Sequence, residues 1–381
     1  MTMRWPEGVE SGGVAAGIKP ERNRDLGVIV ARDRVSWAGT FTKNAAAAAP
    51  VQWCKARLGE RVRAVVVNSG NANACTGPAG EAAVHEIARV AASNAGCAPD
   101  EVLVASTGPI GVQLPVELVA AVLPGAFASS SNSVETFAEA ILTTDTRPKL
   151  TERKAGDARI VGVAKGAAML APNMATMLAF LVTDGTFDAG VLQSALDRAV
   201  SRSFDRISVD ACESTNDSVF LLATGRVPGA SEEELAHELE GACADLAEQM
   251  VRDAEGGSKL VRIRVAGARD EDAAVSLGRA VAGSALWRAA AHGGDPNWGR
   301  ILSALGAADR SLQLDSLELA IGPSAVFVRG VPAASLDAAA KHMAGDVIEV
   351  SCLVGEGPGS AEVLSADLSP EYVTLNAYGT T

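Results

Sequence analysis

One apolar run constrains this chain more than any other segment. Met177-Leu178-Ala179-Phe180-Leu181-Val182-Thr183 is entered through Pro172-Asn173 and followed by Asp184-Gly185, which reads as a buried β-strand with a turn at each end. Just before it, in the string Lys165-Gly166-Ala167-Ala168-Met169-Leu170-Ala171-Pro172-Asn173-Met174-Ala175-Thr176, a single hydroxyl stands among small and apolar residues. A threonine hydroxyl is a poor nucleophile near neutral pH unless a base lies within hydrogen-bond reach, and no histidine is near it in sequence. Breaking the Ala175-Thr176 peptide bond would supply that base. The freed α-amino group, with a reference pKa of about 7.7–8.0, accepts the side chain's own proton. The plain strand reading and the nucleophile reading are compatible, because a nucleophile made this way heads a strand.

Composition sets the wider bounds. With 381 residues, 48% hydrophobic content and no apolar stretch of about 18 residues, the chain is expected to be a soluble globular protein of one large or two moderate domains. Residues 1–13 carry Arg4, Glu7 and Glu10 without an apolar run, so no secretory signal is expected and a cytoplasmic location is. Six cysteines occur without a Cys-x-x-Cys pair, in a chain too large to need disulfide staples, which predicts reduced and mostly buried thiols. His85, His237, His292 and His342 are isolated from one another, against a zinc site and for no metal. The net charge of −13 and the lack of a basic stripe disfavour nucleic acid and an anionic membrane surface as main partners.

Periodicity predicts an α/β or α+β chain. Short β-branched or leucine-rich runs at 63–68, 102–106, 160–164, 177–183, 218–223 and 260–265 read as strands. Apolar residues at three- and four-residue spacing over 80–94, 116–123, 189–202, 231–254 and 270–292 read as helices. Ser231-Glu232-Glu233-Glu234 is a capping box, and Pro296 is placed to open a helix after Asp295 as cap. From 317 onward strands are expected, with one helix near 338–344.

Several distant strings carry a further signal. They are Gly13-Val14-Ala15-Ala16-Gly17-Ile18-Lys19, Asn68-Ser69-Gly70-Asn71-Ala72-Asn73-Ala74-Cys75-Thr76-Gly77, Ser106-Thr107-Gly108-Pro109-Ile110-Gly111, Thr143-Thr144-Asp145-Thr146, Ser214-Thr215-Asn216-Asp217 and Asp295-Pro296-Asn297-Trp298-Gly299-Arg300. In order and spacing, together with 165–178, they resemble the ornithine acetyltransferases, or bifunctional glutamate N-acetyltransferases, of arginine biosynthesis. That resemblance implies a four-layer αββα sandwich with a smaller C-terminal lobe at about 270–381. It also implies self-cleavage into fragments 1–175 and 176–381, and their association as a heterotetramer of two α and two β fragments.

The resemblance further implies roles. Thr176 first splits the chain after Ala175, then takes the acetyl group of N-acetylornithine and passes it to glutamate. Thr107 and Gly108 match the oxyanion pair, whose loss typically raises such a barrier by about 2.7–4 kcal/mol per donor. Thr143, Lys165, Thr176, Glu255, Asn376 and Thr381 match substrate contacts. Their chemistry is apt: Lys165 and Thr143 suit an α-carboxylate, and Glu255 suits ornithine's side-chain amine. No cofactor is implied, with acetyl-CoA as an alternative acetyl donor.

Departures limit the match. Asp210-Ala211-Cys212-Glu213 stands where the family reads Asp-Gly-Asp-Thr, so alanine is expected to restrict positive φ and a thiol replaces a carboxylate. A specialised-metabolism paralogue, an amidase or aminopeptidase with the same threonine, and a non-catalytic binding protein therefore stay open. Gly355-Glu356-Gly357-Pro358-Gly359 lacks the lysine and hydroxyl of a phosphate loop.

Overall fold

The computed structural model describes residues 3–21, 23–170 and 177–378. In chain order the first part holds β1 (Val9–Val14), β2 (Leu26–Phe41), α1 (Ala49–Lys55), β3 (Val62–Ser69), α2 (Gly77–Ala95), β4 (Val102–Thr107), α3 (Val116–Ala128), α4 (Glu135–Ala140), β5 (Lys149–Ala155) and β6 (Ala158–Lys165). After 171–176 come β7 (Leu178–Gly185), α5 (Ala189–Ser201), β8 (Ile207–Ser208), β9 (Ser218–Val227) and α6 (Glu232–Arg252). The remainder is β10 (Leu260–Ala268), α7 (Glu271–Ala282), α8 (Ala285–Gly293), α9 (Trp298–Ala308), β11 (Glu318–Ile321), β12 (Ser324–Val328), β13 (Val331–Pro332), α10 (Asp337–Met343), β14 (Val347–Leu353), β15 (Gly359–Ala366) and α11 (Pro370–Tyr378).

β7 lies between β6, antiparallel, and β9, parallel, and all its residues are buried. Burial on both faces explains why its sequence is a nearly unbroken apolar run rather than an alternating one. The sheet runs β4-β3-β2-β9-β7-β6-β5, with β1 also on β2. β2 joins its two halves: residues 26–30 pair β3, and 36–41 pair β9 after a register shift between Val30 and Val35. α1 and α2 pack on the β3–β4 half, α3 and α4 on β1 and β2, and α5 and α6 on β2, β5 and β6. These layers are the expected αββα arrangement. The smaller lobe is a second sheet, β13-β12-β11-β14-β10-β15-β8, with its own core around Ile263, Trp287, Ile301, Val350 and Val363. Among the described residues no helix is long and apolar enough to cross a membrane.

Some local expectations need correction. The 270–292 helix is two helices, because Ser284 breaks off after α7 and caps α8 through the Trp287 amide at 3.3 Å. Pro296 does not open a helix after Asp295. It sits in a tight turn, and Asn297 is the N-cap of α9. Ser231 does cap α6, accepting from the Glu234 amide at 3.2 Å, but the Glu234 carboxylate turns to the Gly156 amide instead of closing the box. Only Cys54, Cys243 and Cys352 are buried, while Cys75 and Cys212 are exposed. β1, β2, β5 and α11 escape a search for apolar periodicity. β5 alternates charged residues at a sheet edge, and no residue of α11 is buried.

The centre of the core is an edge-to-face chain of rings. Phe220 on β9 meets Trp37 and Phe41 of β2 at 5.9 Å each and Phe180 of β7 at 5.5 Å, and Phe180 meets Phe137 of α4 at 5.1 Å. Phe220 therefore couples the shared strand β2 to the fully buried β7. Phe220→Ala is expected to lower unfolding free energy by about 3–5 kcal/mol, read from the denaturant midpoint at unchanged slope.

Candidate active site

The asparagine-rich string after β3 folds into a polar brace. Asn68 donates to the Asn71 carbonyl at 2.8 Å and accepts from the Ser106 hydroxyl at 2.6 Å. Asn216 reaches across from the start of β9 to the carbonyls of Ala72 and Ser106, at 2.6 and 2.9 Å. Each of these side chains is buried, and each satisfies backbone groups that the irregular chain leaves without a ladder partner. The brace fixes the turn after β4. Gly108 there has φ of +141°, and a Cβ on it would lie 2.4 Å from the Asn71 nitrogen and 2.5 Å from the Gly70 carbonyl carbon. Only glycine fits that contact.

A cavity of about 360 Å³ opens at this turn, lined among others by Thr107, Gly108, Thr143, Lys165, Met169 and Glu255. Asp25, fully buried, holds the opening string against it by accepting from the amides of Ala16, Ile18 and Lys19 at 2.5, 2.7 and 3.0 Å. Lys165 ends β6 directly opposite Leu178, the first residue of β7. Its ammonium, 1% exposed as a residue, donates to the Thr143 hydroxyl at 2.7 Å and the Thr107 hydroxyl at 3.0 Å. Burial pushes its pKa down, and Asp145, 4.0 Å away, opposes that push. Asp145 is itself buried, which raises its pKa, but Lys165 and Lys149 more than offset this and hold its carboxyl down at about 2.

Four of the expected side chains, those of Thr107, Thr143, Lys165 and Glu255, thus line one cavity together with Gly108. Asn376, from α11, joins them by donating to Glu255 Oε2 at 3.1 Å. Glu255 is 8% exposed, and its Oε1 has no partner among the described residues. Ala175, Thr176 and Thr381 lie outside the described residues. None of the four histidines lines the cavity.

Sequence reasoning passed over Asp217 as a site residue although it closes a quoted string. It is fully buried, its Oδ1 accepts from the Met177 amide at 3.0 Å, and its Oδ2 has no partner among the described residues. Burial pushes its carboxyl well above the ordinary value despite that amide. The signal available in sequence was a carboxylate inside a string otherwise suited to a strand entry. At the variant segment, Ala211 takes φ of +59°, so alanine does not prevent the positive φ that glycine would have adopted at lower cost. Asp210 still accepts from the amides of Met169 and Cys212, at 2.5 and 3.2 Å, so the segment keeps its hold on the chain beside the cavity.

Comparison with known proteins shows the family of the chain. The ArgJ family's sequence model matches residues 10–381. A relative named "Arginine biosynthesis bifunctional protein ArgJ" from Thermus thermophilus is 42% identical over 383 residues, spanning 100% of both chains. One of the same name from Gloeobacter violaceus is 40% identical over 98% of this chain and 97% of its own. Among solved structures, the arginine biosynthesis bifunctional protein from Bacillus halodurans covers 52% of this chain and 97% of its own at 32% identity, with a TM-score of 0.49. An ornithine acetyltransferase from Mycobacterium tuberculosis, complexed with ornithine, covers 44% and 92% at 36% identity, with a TM-score of 0.40.

Two outcomes follow from the geometry. Gly108→Ala forces a Cβ into backbone, and with the Gly108 amide in the oxyanion role that the resemblance implies, it is expected to cut turnover by about 100-fold or more in a steady-state assay of the folded variant. Asp217 has the opposite sign from a salt-bridged carboxylate. Its folded pKa is raised, so as pH rises past the unfolded value near 4 the buried group must ionise or stay protonated at a cost to the folded state. Asp217→Asn is expected to unfold at higher denaturant than wild type at pH 8, with the difference vanishing by about pH 4.

Proposed function

The chain belongs to the ArgJ family, and from that premise we propose that it moves the acetyl group of N-acetylornithine to glutamate through an acyl-enzyme on Thr176, after cleaving its own Ala175-Thr176 bond. The observation that carries this reading is the convergence of Thr107, Gly108, Thr143, Lys165 and Glu255 on one cavity at the mouth of the strand that follows Thr176.

In the cleaved enzyme the α-amino group of Thr176 takes the hydroxyl proton as Oγ1 attacks the acetyl carbon. The negative oxygen then forms between two donors, the Gly108 amide and the Thr107 hydroxyl. Thr107 suits this because its oxygen already accepts from the Lys165 ammonium, which leaves its own proton free to point at the oxyanion. Collapse expels the ornithine amine, which leaves with the proton held by the Thr176 amine. Glutamate's amine then attacks the ester, and the same groups act in reverse. Lys165 and Thr143 suit the α-carboxylate common to both amino acids. Glu255, with one oxygen unpartnered among the described residues, suits the side-chain ammonium of ornithine. Asp217 anchors the amide of the residue after the nucleophile and so limits how far that residue can drift.

No cofactor enters this scheme, and acetyl-CoA is kept as an alternative donor. Fragments 1–175 and 176–381 would stay associated through the sheet that both build, paired as a heterotetramer. A cytoplasmic setting is consistent with six unpaired cysteines.

Denaturing intact mass decides the first step: wild type is expected as two fragments with N-acetylornithine adding one acetyl to 176–381, and Thr176→Ala as one chain without acetyl. Initial rates against both substrates should then give parallel double-reciprocal lines. Acetyl release equally fast with and without glutamate would instead mark a hydrolase, and an uncleaved, unacetylated wild type would leave a binding protein.

A further inference from the structure

The cavity's two recognition groups are joined by a buried ion chain whose central member is in neither the cavity nor the chemistry. Lys149, at the start of β5, has a fully buried side chain, and its ammonium lies 2.5 Å from Asp145 Oδ1 and 2.5 Å from Asp253 Oδ2. Asp145 also accepts from the Thr143 amide at 3.0 Å and the Gly166 amide at 2.7 Å, so it fixes the backbone on both sides of the Lys165–Thr143 hydrogen bond. Asp253 ends α6 as its C-cap and accepts from the amide and the hydroxyl of Thr146. Two residues on, Glu255 enters the cavity, its own amide donating to the Ala167 carbonyl at 2.9 Å.

We infer that Lys149 is a positioning residue that fixes the separation between Lys165 and Glu255, and thereby sets the chain length of the diamino acid that the cavity accepts. The inference rests on the substrate reading above, in which Lys165 takes the α-carboxylate and Glu255 the side-chain ammonium. Its physical ground is stiffness. Lys165, Asp145, Lys149 and Asp253 alternate in sign and are at most 4% exposed at their side chains. A buried ion chain adds little net stability over well-packed apolar residues, but each member is costly to displace alone. It therefore holds a fixed length rather than merely a fold. Ornithine and lysine differ by one methylene, so a rigid distance between two charged contacts separates them, whereas a loose pair tolerates both.

The experiment compares kcat/KM for N-acetylornithine and its one-methylene-longer homologue, Nα-acetyllysine, in wild type and in Lys149→Met/Asp253→Asn. That double variant removes one charge of each sign, so the buried cluster stays balanced. Wild type is expected to prefer N-acetylornithine by about 10- to 200-fold, the usual worth of one methylene. The variant, self-cleaved and folded, is expected to lose at least about tenfold of that preference, mainly through a higher KM for N-acetylornithine. A ratio is insensitive to the fraction of active enzyme, so a purely structural role would leave it unchanged, and an unchanged ratio overturns the inference. Should the double variant fail to fold, Asp253→Asn alone, which retains the Lys149–Asp145 pair, carries the same comparison. A wild type that uses neither donor would overturn the substrate reading itself, a result distinct from an unaltered preference.

Discussion

The ammonium of Lys165 is the point on which the site depends. It is buried at the end of β6, where an isolated charge is strongly disfavoured, and it survives there because two hydroxyls and Asp145 surround it. Those same hydroxyls, Thr107 and Thr143, belong to distant parts of the chain, one at the end of β4 and the other after α4. Satisfying one buried cation thus fixes three segments relative to one another. Without that requirement nothing local would bring the Thr107–Gly108 turn to the entry of β7.

A second layer of polar residues makes the arrangement rigid. Asn68, Asn71 and Asn216 tie irregular backbone to strand ends, and Asp25 and Asp145 each bind two or more amides from separate residues. These buried groups are partnered as completely as the core is packed, which is the condition under which polar interiors specify geometry rather than weaken it. Glu255 Oε1 and Asp217 Oδ2 differ in having no partner among the described residues. Glu255 faces the cavity, and Asp217 anchors the residue that follows Thr176. An unsatisfied acceptor that faces a cavity, as in Glu255, is suited to taking a donor from a ligand.

The variant segment illustrates how a local departure is absorbed. Ala211 accepts a left-handed conformation that costs an L-residue roughly 1–2 kcal/mol, and Asp210 keeps the amide contacts that the turn exists to make. The backbone path survives the change of residue. Cys212 is exposed rather than buried, so the thiol replaces a carboxylate at the surface and not within the hydrogen-bonded interior.

By itself the sequence determined the class of the fold, the central apolar strand and most of the polar residues that the fold gathers at one cavity. Those features are written in contiguous strings: the apolar run Leu178-Ala179-Phe180-Leu181-Val182 in β7, the Thr107–Gly108 pair, and Lys165 at a strand end. Helix breaks at Ser284 and Asn297, the open half of the Ser231 capping box and the strand in the charged 149–155 stretch were settled by tertiary packing, because local propensity there is weak and a distant partner decides. The same holds within the site. Asp217, Lys149 and Asp253 are ordinary charged residues in the string, where solvated surface is the usual fate of their kind. Only the folded chain buries them, and burial, by making every unpaired charge expensive, is what turns them into parts of one device.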